Sequence, residues 1–205
     1  MIESYDSLKE EYEACVVDYN AALRLALARL NNLDEAMERA GSRSPFSSIN
    51  SRIKAFDSVM EKVERKGIQP DIDSIRQRVR DIAGIRIVTP FRDDIHEVAD
   101  LIVKIPGLSV TDKKDYVKSP KENGYASFHL HVLVEIYHPI DGSKLIPIEI
   151  QIRDKAMDMW ATVEHIVKYK NPNPSPEVGE RFKRIADILV KFDEMAIELR
   201  DEAVQ

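Results

Sequence analysis

Between residues 145 and 153 the chain reads Leu-Ile-Pro-Ile-Glu-Ile-Gln-Ile-Arg, an alternation of period two. Ile146, Ile148, Ile150 and Ile152 fall on one face and Glu149, Gln151 and Arg153 on the other. β-Branched residues at every second position predict a strand against a core. The opposite face suits either solvent or the floor of a polar site. The chain's beginning has a different period. Leu8, Tyr12, Cys15, Tyr19, Leu23, Ala26, Leu30, Leu33 and Met37 recur by threes and fours, which predicts one long amphipathic helix ending near Gly41. Its stripe can pack on a core or on another subunit.

The same reading carries through the rest. Residues 42–51 read as a Ser/Pro-containing loop. Residues 55–66 form a helix with Phe56, Met60 and Val63 inward, stopped by Gly67 and Pro70. A very basic helix spans 72–80. The β-branched run 82–89 is a buried strand with Asp81 at its entrance, and 93–104 is a helix burying Ile95, Val98, Ala99 and Ile102. A short strand at 108–111 leads into a Lys-rich loop at 112–124. Strand 125–137 turns at Asp141-Gly142 into the isoleucine strand. A helix at 154–169 carries Met157, Trp160, Ala161 and Val167, and the prolines of 171–176 break it. Last comes an amphipathic helix at 177–203 with Phe182, Ile185, Ile188, Leu189, Phe192, Met195 and Leu199. The expected fold is α+β (mixed α/β): a central mixed sheet of about five strands, flanking helices and a long helix at each end. The expected division is a helical extension at 1–41, a catalytic-sized body at 42–170 and a terminal helix at 177–205.

Composition narrows the classes. No apolar run approaches membrane-spanning length and the start resembles no targeting peptide, so the cytoplasm is the expected compartment. The single cysteine, Cys15, excludes an internal disulfide and a Cys-based zinc site. The net charge of −6 is unevenly spread: residues 1–40 carry nine acids and four bases, 177–205 carry eight and five, leaving 21 bases among 19 acids between them. Bases cluster at Arg52–Lys66, Arg76–Arg86 and Lys113–Lys121. Basic stretches inside an acidic protein fit a focused polyanion pocket better than a broad nucleic-acid surface, although each cluster alone also fits a solvated face.

Several constellations bear chemistry. Asp81 and Glu149, entering or lying on two strands, could share a Mg²⁺, although an Asp at a strand entrance is also an ordinary cap. Lys54, Ser58 and Lys62 are four apart and make a plausible phosphate cradle or a solvent-facing stripe. Tyr125 could stack a base while Lys121 meets phosphates. His129 and His131 share a face, yet no third metal ligand accompanies them. Trp160, Glu164 and His165 read as helix packing with a polar edge. There is no Gly-rich nucleotide loop, and no histidine is followed by Asp as in many metal phosphohydrolases.

Four segments together resemble the synthetase domain of the RelA/SpoT family of (p)ppGpp synthetases. They are Arg52-x-Lys54-x-x-x-Ser58-x-x-x-Lys62; Asp81-Ile-Ala-Gly-Ile-Arg86; Asp115-Tyr-x-x-x-Pro-Lys121-x-Asn-Gly-Tyr125-x-Ser-x-His129; and Glu149-Ile-Gln151-Ile-Arg153, followed by Trp160-Ala-x-x-Glu164-His165. They cover roughly 45–170 in the family's order, and the length is similar to that of the stand-alone small alarmone synthetases. The resemblance implies transfer of the β,γ-diphosphate of ATP to the 3′-hydroxyl of GTP or GDP, with no hydrolase activity. It implies that Arg52 and Arg86 sandwich adenine and that Lys54, Ser58 and Lys62 hold the ATP phosphates. Asp81 and Glu149 are implied to bind Mg²⁺, Glu149 also taking the hydroxyl proton. Tyr125 is implied to stack on guanine, with Lys114, Lys121, His129 and Gln151 on the acceptor side. A homotetramer built through the terminal helices is implied too, with (p)ppGpp or single-stranded RNA as candidate effectors. Ala126 and Lys114 depart from the family's usual long polar residue and arginine, which leaves the acceptor ranking among GTP, GDP and GMP open. The alternative is a catalytically weak nucleotide- or single-stranded-RNA-binding regulator on the same fold.

Overall fold

The isoleucine strand lies at the centre of the molecule. In the computed structural model, which describes residues 5–140, 142–170 and 175–203, one sheet runs in the order β1-β2-β5-β4-β3. β1 (Ser48–Ile53) is antiparallel to β2 (Ala83–Thr89), and β2 is parallel to β5 (Gly142–Asp154). β4 (Phe128–His138) is antiparallel to both β5 and β3 (Leu108–Asp115). The helices are α1 (Tyr5–Arg39), α2 (Phe56–Lys66), α3 (Ile72–Arg78), α4 (Asp94–Val103), α5 (Lys155–Lys170) and α6 (Pro176–Ala203). This is the mixed α+β architecture the periodicities predict.

Strand alternation builds the core. The four isoleucines of β5 are at most 2% exposed. With Leu130 and Val132 of β4 and Ile85 of β2 they meet Tyr19, Leu23 and Leu30 of α1 and Ile95, Val98 and Ile102 of α4. Burying side chains of this size stabilises by about 1.5–3 kcal/mol each. The α1 stripe therefore packs on this core, and Cys15 sits half-buried at its margin. One face of the sheet is thereby sealed, and the polar residues of the strands share the other.

Two segments differ most from expectation; the strand expected from residue 125 also starts later, at Phe128, where its ladders with β3 and β5 begin. The supposed loop at 42–51 contains most of β1. Only Ile49 and Ile53 of this edge strand touch the core, so no apolar alternation announces it; its ladder with β2 makes it a strand. β3 runs on to Asp115, four residues beyond the expected 108–111, because pairing with β4 holds a polar edge strand in register. Asp141 of the expected turn and residues 171–174 of the expected break lie outside the described residues.

α6 docks through Phe182 and Ala186 against Trp160 and Met157 of α5, and the Trp160 indole N–H donates to the Phe182 carbonyl at 2.9 Å. Near its far end Arg200 makes a two-point ion pair with Asp93 and lies over the Phe91 ring. Between them Asp193 is buried, accepting the Arg92 backbone N–H at 2.8 Å. Burial, only partly offset by that bond, pushes its carboxyl up from 3.8 to about 6. A raised acid gives most stability below its unfolded value and loses it as pH rises through the folded one, so at neutral pH the buried charge costs on the order of 2 kcal/mol. Asp193→Asn keeps an oxygen for the Arg92 N–H and removes the charge. It should raise the urea midpoint at pH 7 and leave it unchanged below pH 4; equal midpoints at pH 7 would contradict this.

Candidate active site

Strand register alone sets out the polar face as two rows. In one, Arg52 stands opposite Gly84, Gly84 beside Glu149, and Glu149 opposite His131. Two residues along, Asn50, Arg86, Gln151, His129 and Lys114 align in the same way. A bulge at Thr111 sets the last of these: Val110 pairs with Val132, but the next pair is Asp112 with His131. The extra residue moves Lys114, rather than Lys113, onto the site face.

Above one end of the rows sits Asp81, just before β2. Its two oxygens accept from Lys54 at 2.8 Å and Lys62 at 2.6 Å, so the like charges of the Lys54/Lys62 pair are offset by this carboxylate. Burial opposes ionisation of Asp81, yet the two ammonium hydrogen bonds outweigh it and hold the carboxyl down at about 2. Ser58 lies between the two lysines on α2, half-buried, and lines none of the clefts described below.

Glu149 is 9% exposed and accepts from His129 Nδ1 at 3.1 Å and from Gln151 Nε2 at 2.7 Å. Burial pushes its carboxyl up; the His129 and Gln151 bonds more than compensate, and the net shift is downward. The Asp81 charge opposes that shift, so the two carboxylates feel one another.

Three contiguous clefts meet here. Asp81 and Glu149 line the first together with Arg52, Gly84 and Arg86. The second is basic, with Lys62, Arg65, Arg80, Lys114 and Lys121 around the same two carboxylates. The third holds Tyr125, Lys121, His129 and Arg153, with Glu164 and His165 of α5 on its rim. Arg52 and Arg86, on neighbouring strands, border both the first and the third. Burial and then the nearby Arg153 guanidinium weaken Arg86's hold on its proton, while Asp158 pairs with it at 3.4 Å. The Lys121 ammonium lies 4.8 Å from the ring centroids of both Tyr116 and Tyr125, and burial lowers its pKa. Gly124, at φ +89°, lets the Lys121–Tyr125 loop approach α6 so closely that a Cβ would lie 2.5 Å from the Ala186 Cβ.

Of the residues given a nucleotide or metal role from the sequence, all but Ser58 line at least one of these clefts or contact Asp81. Trp160 is buried packing, as read, and Glu164 ion-pairs with Lys168 and accepts from Asn123 at 2.8 Å. Gly84 and Tyr116 also line the site with no role having been assigned to them, and His131 and Arg153, noted only for their faces, line it too. Arg153 could have been suspected from its place on the strand's polar face; the others needed the register.

Residues 51–174 match the family described as a region found in RelA / SpoT proteins. The chain belongs to the RelA/SpoT family. This RelA/SpoT-family protein is 34% identical over 94% of its length to 90% of the GTP pyrophosphokinase YjbM of Bacillus subtilis strain 168. It superposes with a TM-score of 0.87, 33% identity and coverage of 96% of this chain and 100% of the other on crystalline small alarmone synthetase 1 from B. subtilis bound to its product pppGpp. The same synthetase bound to AMPCPP superposes with a TM-score of 0.79 at 30% identity, over 95% of this chain and 98% of that one. All four motif segments fall within the matched region, which starts inside β1 and includes all of α5.

Proposed function

We propose that this protein is a (p)ppGpp synthetase, an enzyme that moves the β,γ-diphosphate of ATP onto the ribose 3′-hydroxyl of GTP or GDP and releases AMP. The observation that carries this is Asp81 and Glu149 lining one cavity, between a cation-rich cleft and one containing an aromatic ring, in a chain similar almost end to end to GTP pyrophosphokinases. The ATP side is Arg52 and Arg86 around the adenine, with Lys54, Ser58 and Lys62 at the phosphates. Lys54 and Lys62 can exchange the Asp81 carboxylate for phosphate oxygens. On the acceptor side Tyr125 stacks on guanine, and Lys114, Lys121, His129 and Gln151 surround the sugar and its phosphates.

The transfer balances simply. The 3′-oxygen bonds to the β-phosphorus, the bond from that phosphorus to the α,β-bridging oxygen breaks, AMP leaves with the oxygen, and the hydroxyl proton passes to Glu149. Such a reaction asks mainly for in-line placement and neutralised charge, which fixed cations on both sides supply. Glu149 is held ionised, as a base must be. Among the described residues no three of His, Cys, Asp and Glu gather as a self-sufficient metal cage. Two carboxylates beside a phosphate site instead fit Mg²⁺, which takes oxygen ligands and completes its shell with phosphates and water, and Asp81 and Glu149 would hold it. Bound there, it would neutralise phosphate charge and ease ionisation of the hydroxyl.

No helix among the described residues is long and apolar enough to cross a membrane. We further propose a homotetramer. Ile188, Phe192, Met195 and Leu199 form a stripe on α6 that is 62–66% exposed, an apolar face suited to a second copy of the chain. The test of function is direct: purified protein with Mg²⁺, ATP and GDP should yield AMP and ppGpp in equal amounts. Nucleotide binding with no AMP would instead support the turnover-deficient binder.

A further inference from the structure

Arg153 is 4% exposed, and the charged partner nearest to it is Asp158 at 3.4 Å, which Arg86 shares at the same distance. Its Nε is buried without a hydrogen-bond partner. A guanidinium placed this way costs stability compared with an apolar side chain of its size. What it does hold is a closed ring. One terminal nitrogen donates to Gln151 Oε1 at 2.8 Å and to the Tyr125 hydroxyl at 3.2 Å. Gln151 Nε2 reaches Glu149 at 2.7 Å; the Tyr125 hydroxyl reaches His129 Nε2 at 3.0 Å, and His129 Nδ1 reaches the other Glu149 oxygen at 3.1 Å.

Two members of the ring cannot reverse. Arginine only donates and an ionised carboxylate only accepts, so the arm through Gln151 has one direction. Gln151 must turn its oxygen to Arg153 and its amide N–H to Glu149. Tyr125 must accept from Arg153, which leaves its O–H and a second lone pair to meet His129 Nε2. His129 Nδ1 donates to Glu149.

We propose that Arg153 is a positioning residue, which through this ring fixes the orientation of the two donors holding Glu149 and thereby aims the lone pair that takes the hydroxyl proton. The proposal rests on Glu149 being the base of the synthetase reaction. It also gives Gln151 and His129 a task on the Glu149 carboxylate besides contact with substrate. Without a donor at 153 the Gln151 oxygen and the Tyr125 hydroxyl lose their shared anchor, and both donors to Glu149 are held from one side only. Misplacement of a reacting group by about 1 Å can cost 10²-fold in rate.

Arg153→Met fills the space and donates nothing; Arg153→Lys keeps a donor-only cation on a stem of similar reach. The Met variant should lose about 10²-fold in kcat with the KM for ATP within about two-fold, and the Lys variant should recover part of that loss. Long-range ¹H–¹⁵N spectra should show His129 protonated at Nδ1, the atom that faces Glu149, in the unaltered protein. Tyr125→Phe, which breaks one arm and keeps the ring face, should lower kcat in the same direction by less, and serves if the Met variant fails to fold. A purely structural Arg153 predicts equal kcat in the Met and Lys variants, and that result overturns the proposal. So does an Nε2–H tautomer in the unaltered protein, whatever its activity. Absence of AMP from the unaltered protein would defeat the synthetase reading instead, and leaves the tautomer result to be judged separately.

Discussion

Glu149→Gln should abolish AMP formation, by about 10³-fold or more, while ATP and GDP still bind. The lower bound follows from removing a general base, worth about 10²–10⁴-fold, at a position that would also hold the metal. The fold should tolerate the change. A glutamine there presents its N–H₂ to a donor, but His129 can shift its proton to Nε2 and accept at Nδ1, since the Tyr125 oxygen has a second lone pair. Single-turnover assays with labelled ATP, run beside calorimetric titration of each nucleotide, separate the two effects. An equal loss of binding and turnover would show that Glu149 holds substrate rather than accepting a proton.

Gly84→Val should remove activity by a different route, and without harm to the fold. Its backbone is not in the left-handed region, so glycine is not required there for conformation. A Cβ would meet only the Glu149 carbonyl, at an ordinary 3.8 Å. Valine also favours strands. What glycine provides is room: its position lies between Arg52 and Glu149 in the register and lines the cavity that Asp81 shares. A branched side chain would rise into that space. The expected result is a loss of kcat/KM for ATP of about 10²-fold with an unchanged or higher melting temperature, and a smaller loss for Gly84→Ala. Turnover at the normal rate in the valine variant would mean that the ATP side of the reaction lies elsewhere.

The sequence was most legible where burial is one-sided. Period-two isoleucines in β5 and the three-four spacing of α1 gave the right elements, because a side chain's face follows from backbone geometry alone. β1 and the far half of β3 were hidden for the opposite reason. They are edge strands with little apolar surface, held by a neighbour's backbone hydrogen bonds, which no local pattern records. α6 shows the same limit from the other side. Its stripe is plain in the sequence, yet only Phe182 and its near neighbours face the body while Phe192 and Leu199 remain exposed.

The site divides in the same way. Residue types and motif order selected Asp81, Glu149 and the cations around them, since phosphate transfer needs carboxylates for a metal and fixed positive charge. The sequence by itself thus determined the central strands, the core face and most of the chemistry available. Tertiary structure decided which groups touch: that Lys54 and Lys62 close on Asp81, that a bulge chooses Lys114, and that Arg153, Tyr125, His129, Glu149 and Gln151 form one ring. Hydrogen bonds act over about 3 Å, and only strand register and bulges bring residues far apart in the chain within that range.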